Sequence, residues 1–494
     1  MGVSMNAELS LRRPRVARRC TAVLLALAGV LGGCFQSYVA KPLQREDTEA
    51  AFVRRGPEDP GLRSFMAAHG VPDQPWPPTD WALRQLTLLA IFYRPDVGLA
   101  QAEARVSSAA VVTAGQRPNP AVIPFVEHHS RPPAGERPWT VGFGTDIPII
   151  TAGKREARIE QAQALAAATD LDVAAAIWTV RSRVRLRLMD YLAVRRELAL
   201  VEGESGLRTL ALRLLEQRLA LGAASAVDVA NERIRVLAVQ SAAAQLRTRV
   251  GEARSGLADA LGLPVAAMDR VPISDVELDR RVPIDDAAEL RRAALLNRLD
   301  IQRGLFSYAA TEAALKLEVA RQYPDFSVGP GFKWDQGDLV WFIAAKVLLP
   351  VLNRNEGPIL EAEARREAEA ERFKALQTAA LSQVDGAVAG VANARLELAV
   401  AADLERMADE RRARIERRFA LGAADRFDTV TSELEAVAAR RARITALLTA
   451  QRRAGALEDA LQRPLDEPPA LSKDEAPPGS ARSLLTNNLG ENVK

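Results

Sequence analysis

Residues 218–229 read RLALGAASAVDV and residues 418–429 read RFALGAADRFDT. Seven of the twelve positions are identical, where roughly one or two would match by chance in so alanine-rich a chain. The same offset of 200 pairs Leu257, Asp259, Ala260, Leu261 and Pro264 with Leu457, Asp459, Ala460, Leu461 and Pro464. Upstream, Arg94-Pro95-Asp96-Val97 answers Arg298-Leu299-Asp300-Ile301, and Pro148 answers Pro350. The chain is therefore one unit of about 200 residues written twice.

Each copy holds a long stretch without proline, Ile149 to Leu263 and Ile359 to Arg463, rich in Ala, Leu, Arg, Glu and Gln. In the first copy Val173, Ile177, Val180, Val184, Leu188 and Tyr191 follow at steps of three or four, the spacing of one helix face. Such composition sustains helix well beyond ordinary lengths. The pattern predicts near-continuous helix from Lys154 to Ala220, on the order of 100 Å at 1.5 Å per residue. Gly222 and Gly422 break it, and Asp228 and Asp428 follow six residues later. Glycine ends a helix in the left-handed conformation, and aspartate suits the start of the next. Each copy thus predicts an antiparallel helical hairpin with a sharp tip.

Short alternating segments precede each long helix. Trp139, Val141, Phe143, Thr145 and Ile147 alternate with Thr140, Gly142, Gly144 and Asp146. Phe326, Val328, Pro330, Phe332 and Trp334 alternate with Ser327, Gly329, Gly331 and Lys333. Leu339 to Leu348 carries Trp341, Ile343 and Val347 on one face and Lys346 on the other; Ala121 to His129, its counterpart in the first copy, alternates poorly. Ser130–Pro138 and Asp335–Asp338 are the polar turns between them. Alternation with glycine or polar residues on one face is the pattern of a transmembrane β-barrel. Three of the six tryptophans lie in these stretches, where aromatic side chains mark a bilayer interface. Four strands close no barrel, since bacterial barrels begin at about eight, and lipid tolerates no open edge. Three copies supplying twelve strands are the simplest closure.

The fold class expected is mainly α with a small β part: tandem long helical hairpins forming an α-barrel, plus four strands per chain in a trimeric twelve-stranded β-barrel. By residue, 81–265 is the first repeat, 266–285 a linker and 286–464 the second repeat. Residues 34–80, proline-rich around Pro72–Pro78, read as irregular, and 465–494 as a disordered tail.

Composition narrows the function classes. A net charge of +3 with 26% charged residues calls for no nucleic acid. The two cysteines, Cys20 and Cys34, lie near the N-terminus, so the body has no disulfide and no thiolate metal site. His128 and His129 are adjacent, so regular β structure points them to opposite faces and they chelate no single ion; the Arg-rich patches, such as Arg411, Arg412 and Arg414, read as solvated helix faces. No Gly-x-Ser-x-Gly elbow, P-loop, His-Glu-x-x-His or Cys-x-x-Cys occurs, so the expectation is no enzyme, no cofactor and no metal site.

At the N-terminus, Arg12, Arg13, Arg15, Arg18 and Arg19 precede a short apolar run from Thr21 to Leu31, the pattern of a secretory signal over 1–33. It ends Leu31-Gly32-Gly33-Cys34, which resembles the bacterial lipobox, with Cys34 the lipidated residue; Phe35 in place of Asp leans toward the outer membrane.

From Trp81 to Pro464 the sequence resembles the TolC-like outer-membrane efflux protein family. The resemblance rests on the tips, Phe419-Ala-Leu-Gly422 with Asp428 and Leu219-Ala-Leu-Gly222 with Asp228, where leucine replaces the family's aromatic. It rests also on Pro118-Asn119-Pro120 and Tyr323-Pro324 at strand entries and on Pro148 and Pro350 at strand exits. Asp146-Ile-Pro148 with Gly153-Lys154-Arg155 and Arg158 looks like the cobalt–zinc–cadmium heavy-metal subgroup, a pattern that drug-efflux lipoproteins largely share. The resemblance implies a homotrimeric, passive outer-membrane conduit, lodged in outer-membrane lipid, for metal cations or drugs. It implies docking of the tips to a periplasmic adaptor (membrane fusion) protein and an inner-membrane pump.

Two sets of site residues follow. Asp425 and Asp428, repeated by threefold symmetry, are candidates for an acidic ring at the periplasmic gate; the plainer reading is that Asp428 caps a helix and Asp425 is a turn residue. Leu219, Gly222, Phe419 and Gly422 are candidates for adaptor contact, against plain turn formation, and Asp228 reads as a cap. A type I protein-secretion conduit on the same fold and a periplasmic coiled-coil structural lipoprotein are the competing readings.

Overall fold

The computed structural model describes residues 37–72, 74–280 and 286–465. Cys34 and the signal segment expected over 1–33 lie outside those residues, as do 281–285 of the linker and all but Leu465 of the expected tail. Residues up to Phe52 form a unit of their own, of which 37–52 are described; helix α1 (Arg45–Val53) begins in it and has no buried residue.

From Val53 onward the chain forms a second unit. It opens with α2 (Pro60–Ala68), α3 (Leu83–Tyr93) and α4 (Pro95–Gly115), then β1 (Ala121–His128) and β2 (Trp139–Ile149). Helices α5 (Lys154–Ala220) and α6 (Ala226–Leu261) complete the first repeat. A 3-10 turn (Val265–Arg270) and a single turn of helix, α7 (Val276–Asp279), connect to the second. That repeat has α8 (Ala287–Asn297), α9 (Leu299–Ala320), β3 (Phe326–Asp335), β4 (Asp338–Val347), α10 (Glu356–Ala420) and α11 (Arg426–Leu461). The bounds of α5 are those the sequence predicts. The stretch 34–80, expected as irregular, contains α1 and α2; α2 forms because Pro60 at the first turn spares an orphan N–H and Asp59 accepts from the Gly61 amide at 2.8 Å.

Helix α5 packs on α6 and on α11, and α11 packs on α10, so the long helices lie in the order α6–α5–α11–α10. Each repeat has its own apolar centre where the short helices cover the base of the hairpin. In the first, Leu86 and Leu89 of α3 meet Leu188 and Leu192 of α5 and Leu257 and Leu261 of α6. In the second, Leu290 of α8 meets Val384 and Val391 of α10 and Leu457 and Leu461 of α11. Burying each such side chain contributes about 1.5–3 kcal/mol. The outer helices keep apolar stripes in the open: Val227, Ile234 and Leu237 on α6, and Leu396, Val400, Leu404 and Met407 on α10, all more than half exposed.

The four strands make one antiparallel sheet in the order β1-β2-β3-β4, so the two repeats meet at β2 and β3 and the outer strands β1 and β4 are its edges. In the tight turn between β3 and β4, Gln336 and Gly337 both take positive φ, 51° and 100°, the geometry that matches strand twist. The poorly alternating segment of the first copy is a strand, ending one residue early at His128. Register rescues what pattern lacked, since all eight of its residues pair with β2. No described helix is long and apolar enough to cross a membrane, which leaves a barrel untouched as a possibility.

Candidate functional site

The two tips share one backbone. In the first, Gly222 takes φ +71° and the Ala223 amide donates to the Arg218 carbonyl at 2.8 Å. In the second, Gly422 takes φ +73° and the Ala423 amide donates to the Arg418 carbonyl at 2.8 Å. A Cβ added at either glycine would meet nothing within 4 Å, so the left-handed conformation is what the chain itself demands there. The candidate contact residues stand open: Leu219 and Phe419 are partly exposed, and Leu221 and Leu421 beside them are 84% and 83% exposed.

The helices after the tips start in capping boxes, which revises the roles read for the aspartates. Ser225, not Asp228, is the N-cap of α6: its hydroxyl accepts from the Asp228 amide, and the Asp228 carboxylate accepts in return from the Ser225 amide at 3.1 Å. The Ser225 hydroxyl and amide together hold the Asp228 carboxyl below the usual carboxylate range. In α11 the N-cap is Asp425, expected as a plain turn residue or a gate, and the Asp428 amide donates to it at 2.9 Å. Asp428 accepts from the Asp425 amide at 3.0 Å. Asp425 also takes an ion pair from Arg218 of the other tip, and that guanidinium stacks 4.8 Å from the Phe427 ring centre. Both carboxylates are thus engaged within the chain while exposed to solvent.

The sheet has two unlike faces. One carries Val141, Trp334 and Leu339 in one row and Phe143, Phe332 and Trp341 in the next. Ile343 and Trp341 on this face are 77% and 73% exposed, an unusual position for such side chains in water. The other face carries Thr140, Gly142, Gly144 and Asp146 of β2 beside Asp335, Lys333, Gly331 and Gly329 of β3, with Lys346 of β4 toward the helices. Near the turns, the buried Thr140 hydroxyl donates to Asp335 at 2.6 Å, and Lys333 pairs with the same carboxylate at 2.7 Å. The histidines separate as expected: the His128 ring packs on Trp139 at 4.5 Å, and His129 bonds the Thr140 hydroxyl at 2.9 Å. Among the described residues no three His, Cys, Asp or Glu gather where they would hold a metal ion.

Three constellations escape a reading of sequence. Lys154, buried, donates to the Tyr323 carbonyl at 2.6 Å and to Asp325 at 2.8 Å, tying the start of α5 to the entry of β3. Burial pushes the Asp325 carboxyl up, but the Lys154 and Thr151 bonds outweigh it and hold it below its ordinary range. Of its neighbours in the Gly153-Lys154-Arg155 motif, Arg155 donates to the Gly115 carbonyl at 2.7 Å. Deeper in the helices, Arg185 donates to the Gln451 carbonyl at 2.7 Å and pairs with buried Glu458, which Arg181 also holds at 2.9 Å. Burial lowers the Arg185 pKa, and Gly455 leaves the room its guanidinium occupies. The third had a signal. Arg94 is gripped by Asp96 and donates to the Asp259 carbonyl at 2.8 Å, while Arg298 is gripped by Asp300 and donates to the Ala460 carbonyl at 2.7 Å. The duplicated Arg-x-Asp places a cation at the C-terminal end of the returning helix in each repeat, where the helix dipole favours it.

A model described as outer membrane efflux protein matches residues 89–263, from α3 through α6. The cobalt-zinc-cadmium resistance protein CzcC of Cupriavidus metallidurans is 25% identical over 219 residues, 44% of this chain and 51% of that protein. The chain thus spans about half the length of the curated relative it matches. Among solved structures, the outer membrane protein VceC of Vibrio cholerae superposes with a TM-score of 0.63 at 17% identity, over 78% of this chain and 97% of that one. The open state of the MtrE outer membrane channel of Neisseria gonorrhoeae superposes with a TM-score of 0.60 at 17% identity, over 78% and 89%. At such identities the superpositions speak for the fold. The match to outer membrane efflux proteins thus falls on the first repeat, residues 89–263, and the second repeat writes the same architecture again, so the chain has the fold of the outer-membrane channels it superposes on.

Proposed function

We propose that this chain is the protomer of a homotrimeric outer-membrane channel, the passive exit duct of a tripartite efflux system fed by an inner-membrane pump and a periplasmic adaptor. The observation that carries the reading is a coincidence of open edges. β1 and β4 bound the sheet, and α6 and α10 bound the helical layer with exposed apolar stripes. A head-to-tail ring of copies covers both sets at once, and three copies bring twelve strands. The exposed apolar face of the sheet then meets lipid, and its glycine and charged face lines the pore. An isolated coiled-coil rod has no use for such a sheet.

Cargo is heavy-metal cations or drugs; the likeness to a cobalt-zinc-cadmium resistance protein favours metals. Lipidation of Cys34 selects the outer membrane, while the barrel provides the hold. At the periplasmic end, three copies of Asp425 and Asp428 form an acidic ring that favours cations, and Leu219, Gly222, Phe419 and Gly422 take the adaptor. The assembly is tested on an unheated gel of detergent extracts, where a trimer is expected that collapses to monomer on boiling. The transport reading is tested by exposing a deletion strain to cobalt, zinc, cadmium and a drug panel. Sensitivity that the native gene relieves is expected, and unchanged tolerance to every compound overturns it.

A further inference from the structure

The pore face of the sheet is not uniformly polar. On the same face as Gly142 and Gly331, β1 contributes Ile123 and Phe125 and β4 contributes Val340 and Phe342; Lys333 shares the row of Phe125 and Val340, its ammonium drawn to Asp335 nearer the turn. The two phenyl rings, 6.5 Å apart, lie across the glycines instead of standing off the sheet. A Cβ at Gly142 would stand 2.8 Å from Cζ of Phe125, and one at Gly331 2.5 Å from Cζ of Phe342. The backbone carbonyls of Phe332 and Phe143 would stand 2.5 and 2.6 Å from the same added atoms, so ring and backbone both require glycine there, and both rings remain half-buried. Two rows of a strand pair span about 7 Å along the pore axis. This face and the two turns together carry five carboxylates (Glu127, Glu136, Asp146, Asp335 and Asp338) against four cations (Arg131, Arg137, Lys333 and Lys346), and Lys333 is paired with Asp335.

From this arrangement we infer that the membrane section of the pore holds a binding belt for lipophilic organic cations, built from Phe125 and Phe342 of each copy. The inference rests on the channel reading, since it needs this face to line the pore. An apolar aromatic body gains by covering the exposed part of the phenyl rings and the aliphatic edges. A positive charge on that body gains from the ring quadrupoles, and the net excess of one carboxylate per copy adds to it. A hydrated inorganic ion has no use for the belt and passes it without binding. The belt thus gives the organic part of the proposed cargo a recognition site within the duct.

The test uses the full-length protein in lipid nanodiscs, with tetraphenylphosphonium as probe and tetraphenylborate as an anion of the same size and shape. The native protein is expected to bind the cation saturably, and F125S/F342S to bind it about tenfold more weakly, equal to about 1.4 kcal/mol. F125L/F342L keeps the volume and guards against a misfolded barrel; it is expected to fall between the two because the ring faces are gone. Cation binding that is the same in all three proteins overturns the belt. Borate binding that depends on the rings as strongly as phosphonium binding does overturns its preference for cations. A second arm labels D146C and W341C with a membrane-impermeant charged thiol reagent. Labelling at 146 and not at 341 is expected; the reverse overturns the pore face and the channel reading with it. Correct labelling without ring-dependent binding overturns the belt alone.

Discussion

The two helical tips share a backbone and differ in one capping residue, serine at 225 and aspartate at 425. Their glycines sit at φ +71° and +73°, and both following helices start in a capping box closed by an aspartate three residues on. The serine leaves the first tip with one carboxylate; the aspartate gives the second two. The arginines diverge in response. Arg418 donates to the Ala423 carbonyl of its own tip at 2.9 Å, while Arg218, its counterpart, crosses to Asp425 of the other. The turn is common to both tips, while Asp425 in place of Ser225 and Phe427 in place of Val227 give the second tip a site that Arg218 of the first reaches.

If the turn is common to both, damaging it has to cost both tips alike. Gly222→Val and Gly422→Val each force a β-branched side chain into the left-handed region, at about 1–3 kcal/mol. Equal loss of amide-exchange protection at Ala223 and Ala423 is expected, the largest effect in the series. A clear difference between the tips breaks the claim of a common scaffold.

Caps come next. Asp425→Ala removes the acceptor of the Asp428 amide and the partner of Arg218 together, about 1–2 kcal/mol, against about 1 kcal/mol for Ser225→Ala. In planar bilayers Asp425→Ala is expected to raise conductance and lower cation selectivity, as is Asp428→Ala, while Ser225→Ala leaves both near native. Unchanged conductance and selectivity in both aspartate variants removes the gate role and leaves two caps. Converting one tip into the other is gentler. Asp425→Ser keeps a good cap and deletes only the tether, so a loss of about 0.5 kcal/mol is expected that fades in high salt.

Much of this comparison is legible in the sequence, for reasons that are themselves local. Proline-free composition carries the chain through Lys154 to Ala220 and the glycines at 153 and 222 flank it, so local signals delimit α5. The tips are legible because glycine at positive φ is a requirement of one residue. What escapes depends on partners distant in the chain. Arg185 finds Gln451 and Glu458 some 270 residues away, with no pattern to announce them. β1 alternates poorly because its register, not its composition, is what β2 selects. Asp425 was ambiguous for a third reason: cap and ion-pair partner use the same carboxylate, and only geometry assigns one oxygen to the Asp428 amide and the other to Arg218.

The smallest expected effect separates the tips by pH. The Asp228 carboxyl is held below the ordinary aspartate value of 3.8 by the Ser225 hydroxyl and amide. A depressed carboxylate stabilises the fold fully above its unfolded value and loses that contribution as pH falls through the folded one. Protection of the Ser225 amide, which the Asp228 carboxylate accepts, is therefore expected to hold at neutral pH and to decline below about pH 4. Ser225→Ala removes the larger cause of the depression and leaves the amide, so the decline should begin at higher pH in that variant. Exchange measured by mass spectrometry across acid pH checks it, with intrinsic rates subtracted. If native and Ser225→Ala decline over the same range, the hydroxyl does not set the charge of Asp228, and the first tip is held by its turn alone.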